Sequence, residues 1–371
     1  MPLTIGNPVG WIERFFRNLP CPYLVSILAG IDIFLVFGIA YEGGIFHPSG
    51  TRNWIWVMIQ PILIGLELGG LCYFFRKIGD LFNGGLEGLY QHDEIKELRK
   101  VWEAWFHDPW NVIQIVILLF FLELPFIVTH KSDFINPDLV FPVAGDLFFA
   151  FNAIYYDFKI VLLALILLIL IGLARFIHEM NGSRFRDHIR LNLMAADPFD
   201  NVKPVQNLFL HFAAFYFVCI TLENINSFSS PGTYGTGGTW VFDITPVIVF
   251  TGLIITGLGL FLSGTAGIRN IVRGRIERKI HEIYLIYEPR EQELLNLIGQ
   301  EGSGADAIAA VQAGLDALSK ERERLVALYS QSKGYTLPSL LEVGSAFIAS
   351  VMVFITQIID FLAKLNIHPF G

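Results

Sequence analysis

Seven apolar stretches are the feature that most limits how this sequence folds. They lie at about 22–41, 54–75, 112–129, 158–178, 206–225, 244–268 and 341–364, and we number them spans 1 to 7. Each is long enough to cross a bilayer as a helix, since about 20 residues cover the hydrocarbon thickness. The chain is 53% hydrophobic and only 16% charged, too little charge to cover the surface of a soluble protein of this size. The sequence therefore predicts an all-α integral membrane protein with seven transmembrane helices.

The basic residues predict how these spans are oriented. Of the 26 Lys and Arg residues, 22 lie in segments on the same side of the membrane as the N-terminus. The other side keeps Arg52, Lys131, Lys159 and Lys364. Because cytoplasmic loops carry an excess of positive charge, the N-terminus is predicted to be cytoplasmic. After an odd number of spans, the C-terminus is then outside.

The spans divide the chain into four predicted regions. Residues 1–20 form an amphipathic helix at the membrane surface, with Trp11, Ile12, Phe15, Phe16 and Leu19 on its apolar face. Residues 21–268 hold spans 1–6 and their loops, and 341–371 hold span 7 and an outer tail. The intervening residues 269–340 are charged and helical in pattern, and they predict a cytoplasmic helical bundle.

Within the predicted bundle, one helix is expected to end at Pro289, where a new helix begins. A later helix carries apolar residues in a seven-residue repeat, at Ile308, Val311, Leu315, Leu318 and Leu325. A second basic helix, "RFRDHIRLNLMAA" (184–196), is expected to join them. Seams of this kind suit contacts between subunits and predict a homo-oligomer; the alternative is a bundle within one chain.

Ionisable side chains inside the spans are candidates for function, because charge in a membrane helix is costly and faces protein or water. The candidates are Asp32, Glu67, Glu123, His211 and Glu223. The sequence places no Lys or Arg deep enough in these spans to neutralise the acids. Span 4 is apolar all round and is predicted to face lipid. In span 6 a strip of small residues predicts close docking on span 5 or 7; its members are Gly252, Thr256, Gly259, Ser263 and Gly267.

Span 7 carries a polar stripe along one side of its helical wheel. The stripe contains Glu342, Ser345, Ala349, Thr356 and Asp360, with Met352 and Val353 at its middle and Gln357 beside it. The opposite face is assigned to Phe347, Ile348, Ile355, Ile358, Ile359 and Leu362. One copy of the stripe suits packing against a neighbouring helix. Several copies around an axis suit a pore with acidic mouths and an apolar neck, which favours cations.

Other functional classes lack support in the sequence. Cys21, Cys72 and Cys219 share no metal-binding spacing, and no nucleotide fingerprint or hydrolase motif occurs. A net charge of −8 does not favour nucleic-acid binding. We therefore expect no enzyme activity and no cofactor. The expected function is an oligomeric, cation-conducting channel with span 7 lining the pore. The alternatives are an ion- or proton-coupled transporter using Asp32, Glu67 and Glu123, and a non-conducting scaffold.

The predicted architecture is similar to that of the insect olfactory and gustatory receptor channels. The shared features are seven spans, a cytoplasmic N-terminus, an outer C-terminus and long cytoplasmic helices before the last span. "QIIDF" (357–361) resembles the Gln-Phe ending of the last helix in gustatory receptors, although their preceding Thr-Tyr pair is absent. The resemblance implies a tetramer whose last helix lines the pore. The expected partners are membrane lipid, small ions and further copies of the chain.

Overall fold

The structure is a computed structural model that describes most of the chain. The described residues are 15–46 except 17, 50–107, 140–191, 199–229, 240–299 and 305–332, with some residues of 110–117 and 344–359. Helices make up the fold of these ranges. They are α1 (Pro22–Glu42), α2 (Gly50–Asp80), α3 (His92–His107), α4 (Pro142–Asn181), α5 (Ser183–Arg186), α6 (Lys203–Ser229), α7 (Trp240–Gly299) and α8 (Ala305–Gln331).

Five helical stretches among the described residues are long and apolar enough to cross a membrane. They are Pro22–Glu42, Trp54–Gly85, Pro142–Asn181, Asp200–Ser229 and Val247–Gly299. These correspond to predicted spans 1, 2, 4, 5 and 6, so the all-helical, membrane-type fold is confirmed. Most of span 3 and much of span 7 lie outside the described residues. Seven crossings and the direction of the termini therefore remain predictions.

Helix α4 lies at the centre of the fold and packs against α2, α3, α6 and α7. Every side chain from Leu162 to Leu170 is buried. The prediction that span 4 faces lipid was therefore wrong. A helix that is apolar all round suits the protein interior as well as lipid, and hydropathy does not separate the two environments.

Helix α1 packs on α2 and leaves its other side exposed. A Cβ atom at Gly30 would lie 2.7 Å from the carbonyl oxygen of Pro61. The glycine therefore allows the backbones of α1 and α2 to approach closely at this point. Leu24, Ile27 and Phe34 are about half exposed on the outer side of α1. Large apolar side chains at the surface suit contact with lipid tails.

Helix α7 is 60 residues long and continues from span 6 into the predicted cytoplasmic region. The proposed boundary at residue 269 therefore lies inside one helix. The helix also passes through Pro289, so the expected break there was wrong. The residues around Pro289 are exposed, which allows water to satisfy the carbonyl that proline leaves without a donor. Helix α8 packs back along α7 and buries Leu315 and Leu325, so the predicted apolar seam joins two helices of one chain.

Helix α7 docks on α6 through glycines other than those predicted. Added Cβ atoms at Gly257 and Gly264 would lie 2.3 Å and 2.2 Å from the rings of Tyr216 and Phe209 of α6. In contrast, Gly252, Thr256, Gly259 and Ser263 are exposed, and Gly267 faces Ile177 of α4. The predicted small-residue strip was therefore wrong as the α6-docking face. Aromatic rings need space on the opposing helix, and sequence spacing does not show where they insert.

The second basic helix is shorter than predicted. Helix α5 ends at Arg186, and the chain then turns at Asp187 and His188. The guanidinium of Arg278 on α7 donates to the Asp187 carboxylate and to the Arg186 carbonyl. These contacts hold the chain to α7 and favour the turn over a continued helix.

Candidate functional site

A buried ion pair joins α4 and α6. The Lys159 ammonium lies 2.9 Å from Oε2 of Glu223, and the two side chains are 2% and 7% exposed. The ammonium also lies 4.9 Å from the centre of the Tyr156 ring, a distance suited to a cation–π contact. Asn226 donates a longer hydrogen bond of 3.3 Å to the same oxygen of Glu223. Two charges out of contact with water are thus held by specific partners.

Beside this ion pair lies Glu67 of α2, a buried acid whose charge has no cation of its own within the described part of the chain. Its side chain is fully buried, and neither carboxylate oxygen has a hydrogen-bond partner among the described residues. It interacts electrostatically with Glu223, which repels the ionised form, and with Lys159, which attracts it. Glu67, Lys159 and Glu223, which we call the acid–base cluster, therefore bring α2, α4 and α6 together.

Other buried polar groups on the same helices have unmet hydrogen-bonding capacity. Gln60 is seven residues before Glu67, on the same face of α2, and its amide makes no hydrogen bond within the described residues. The same holds for the Asn224 amide on α6. Tyr155 of α4 donates to the Gln60 backbone carbonyl at 2.7 Å, so its hydroxyl is already occupied. Unmet groups of this kind commonly bind ordered water in buried sites.

A small hollow reaches the acid–base cluster between α4, α6 and α7. Lys159 and Glu223 line it together with apolar side chains such as Leu163 and Phe250. Its volume of about 10 Å³ is close to what one water molecule needs. The ion pair thus has room for a single water molecule on the side that faces α7.

The other predicted ionisable residues lie elsewhere. Asp32 is exposed on α1, away from the acid–base cluster. His211 is also exposed and lines a separate pocket of about 310 Å³ beside Lys77 and Asp80. Glu123 lies outside the described residues. Of the five candidates, the structure therefore brings Glu67 and Glu223 together. Among the described residues there is no group of three His, Cys, Asp or Glu side chains that would hold a metal ion.

Lys159 is the residue that the sequence interpretation missed. It was assigned to the outer side, and the acids were expected to have no basic partner within the membrane; that expectation was wrong. Helix α4 begins at Pro142, well before the predicted start of span 4, and so carries Lys159 inside the fold. The run of aromatic residues before Lys159 was the available signal, because it extends the apolar helix towards the N-terminus.

Span 7 packs on α6 through one side. The Phe347 ring lies 5.3 Å from the Phe217 ring, and the fully buried Ser350 donates to the Phe217 carbonyl at 2.9 Å. The Ser350 and Thr221 hydroxyls are 2.5 Å apart. Ser350 was not among the predicted stripe residues, yet it makes the polar contact with the neighbouring helix.

The described part of the stripe points away from α6. Ser345, Ala349, Met352 and Thr356 are exposed and Val353 is half-buried. Thr356 satisfies its hydroxyl by donating to the Met352 carbonyl of its own helix at 2.9 Å. Glu342, Gln357 and Asp360 lie outside the described residues. Ala349, Met352 and Thr356 therefore lie on the exposed side of span 7.

The face assigned opposite to the stripe needs correction. Phe347 packs inward, but Ile348, Ile355 and Ile359 are 60%, 43% and 41% exposed. Ile359 follows Thr356 by three positions, and residues three apart lie side by side on a helix. Span 7 therefore exposes a mixed surface on which isoleucines flank the stripe.

Charged contacts tie the ends of the helices together at the predicted cytoplasmic side. Glu97 of α3 accepts a hydrogen bond of 2.7 Å from Arg184 of α5, and His188 lies 3.2 Å from Glu94. The Lys100 ammonium, assisted by Arg184, holds the pKa of Glu97 below its ordinary value. Together with the Arg278–Asp187 contact, these bonds connect α3 to α7 through α5 and the turn that follows it.

The fold and these features define a class rather than a particular protein. Over its described residues the protein is all-helical, with several helices that are long and apolar enough to span a bilayer, as is typical of membrane proteins. Comparison with family models, curated proteins and solved structures found no match. Its function is therefore argued from the geometry alone.

Proposed function

We propose that this chain is a multi-pass membrane protein that assembles as a homo-oligomer and conducts small cations, with span 7 lining the pore. The observation that carries the proposal is the exposure of Ser345, Ala349, Met352 and Thr356 on the side of span 7 remote from α6. When several copies of span 7 surround a shared axis, this side lines the pore with hydroxyl groups and an apolar constriction. Asp360 and Glu342 then supply acidic mouths, with a cytoplasmic N-terminus and an outer C-terminus.

Cysteine substitution along span 7 tests the channel proposal. We expect Ala349→Cys and Thr356→Cys to lose most of their current in planar bilayers after a positively charged thiol reagent, because the added group blocks a wetted path. Phe347→Cys is the matched control, since Phe347 packs on Phe217. The background carries Cys21→Ser, because Cys21 is an exposed native thiol.

Two results count against a pore at span 7. One is a conducting protein whose current is unchanged by the reagent at both stripe positions. The other is a purified protein that runs as a monomer and stays electrically silent. In a conducting protein, Asp360→Asn is further expected to weaken the preference for cations over anions, because it removes charge from the mouth.

The second candidate is an ion-coupled transporter, and the acid–base cluster is the specific observation in its favour. A buried, unpartnered acid beside an ion pair suits binding and release of an ion within one subunit. Asp32 is exposed and Glu123 lies outside the described residues, so this version depends on Glu67. Flux that saturates with substrate, needs an ion gradient and is lost in Glu67→Gln supports it over the channel.

A further inference from the structure

We propose that Glu67 is a proton-binding site inside the membrane, held by the acid–base cluster in the neutral, protonated form. The inference concerns what the cluster binds, and it stands whether or not the protein conducts ions. It rests on the burial of Glu67, on its lack of hydrogen-bond partners among the described residues, and on the ion pair beside it.

Charge balance is the first step of the argument. Lys159 and Glu223 neutralise each other at 2.9 Å. An ionised Glu67 leaves one uncompensated negative charge in the buried cluster, whereas a protonated Glu67 leaves the cluster neutral. Burial without hydrogen bonds makes the uncompensated charge costly. Neutralisation by one proton removes that cost.

Within the part of the chain that the structure describes, the titratable neighbours of Glu67 do not supply a second cation. From α6, Glu223 adds negative charge and the buried Cys219 adds a thiol; from α4, Tyr155 adds a phenol that donates to a backbone carbonyl. Lys159 is shared with Glu223 and the Tyr156 ring. From α1, the described acid at the middle of the helix is Asp32, which is exposed.

A proton fits this site better than a metal cation does. A proton needs one carboxylate oxygen, whereas a hard metal cation needs a cage of several oxygens. The Lys159 ammonium interacts with Glu67 and repels a second cation. The hollow lined by Lys159 and Glu223 has room for about one water molecule, which is too little space for a hydrated metal ion beside the ion pair.

The test is infrared spectroscopy of the full-length protein in lipid nanodiscs. We expect the wild type at neutral pH to show the C=O band of a buried, protonated carboxyl group. The band is expected to shift when the protein is labelled with ¹³C-glutamate, and to vanish in Glu67→Gln. Asp32→Asn, which removes an exposed membrane acid, is the matched control and keeps the band.

Glu67→Asp covers the case in which Glu67→Gln does not fold. It retains an acid at this position but not a glutamate, so its band is expected to survive without a response to the glutamate label. Absence of the band in the wild type, or an unchanged label response in Glu67→Asp, overturns the proposal. Loss of the band on adding Na⁺ at constant pH and ionic strength also overturns it, because the site then binds a metal cation.

Discussion

Replacing Lys159 by Met breaks the buried ion pair with little change in side-chain volume. Glu223 is then left buried, with the longer Asn226 hydrogen bond but without its cation. Removing one partner of a buried pair typically costs about 3–5 kcal/mol, because the other charge stays buried. Loss of the contact with the Tyr156 ring acts in the same direction. We therefore expect Lys159→Met to lower the free energy of unfolding by about 3–5 kcal/mol at neutral pH.

The assay is SDS-induced unfolding in mixed micelles, followed by circular dichroism, for the wild type, Lys159→Met, Glu223→Met and the double variant. The double variant removes both charges, so we expect it to be much closer to the wild type than either single variant. A cost below about 1 kcal/mol for Lys159→Met, or a double variant equal to the sum of the singles, refutes a tight buried pair.

Two further predictions concern helix α7. Gly264→Val is expected to destabilise the protein by about 1–3 kcal/mol, because a Cβ atom at this position would lie 2.2 Å from the Phe209 ring. Gly259→Val is the control, since a Cβ atom at Gly259 has no neighbouring atom within 4 Å. SDS titration of both variants measures the difference, and equal costs contradict the α6–α7 packing. Pro289→Ala is expected to add a hydrogen bond to the Leu285 carbonyl and to preserve or raise helix stability, measured by hydrogen exchange at residues 285–293. Faster exchange in this variant contradicts a continuous helix.

The helices themselves were largely predictable from the sequence. An apolar run such as 158–178 forms a helix in either lipid or a protein core, because the helix satisfies its own backbone hydrogen bonds in both. The α7–α8 pairing was also predictable, since the apolar spacing that includes Leu315 and Leu325 repeats along the helix. Pro289 was misread, because its cost depends on whether water reaches the freed carbonyl, and that depends on the exposure of the surrounding turn.

The sequence by itself determined that the chain is helical and suited to a membrane, because length and hydropathy act locally along each helix. The tertiary structure decided which faces meet. It placed Lys159 beside Glu223, 64 residues away, left Glu67 unpartnered next to them, and turned Ser350 rather than the stripe of span 7 towards α6. These relations depend on how separate helices pack, and neither hydropathy nor spacing within one helix contains that information.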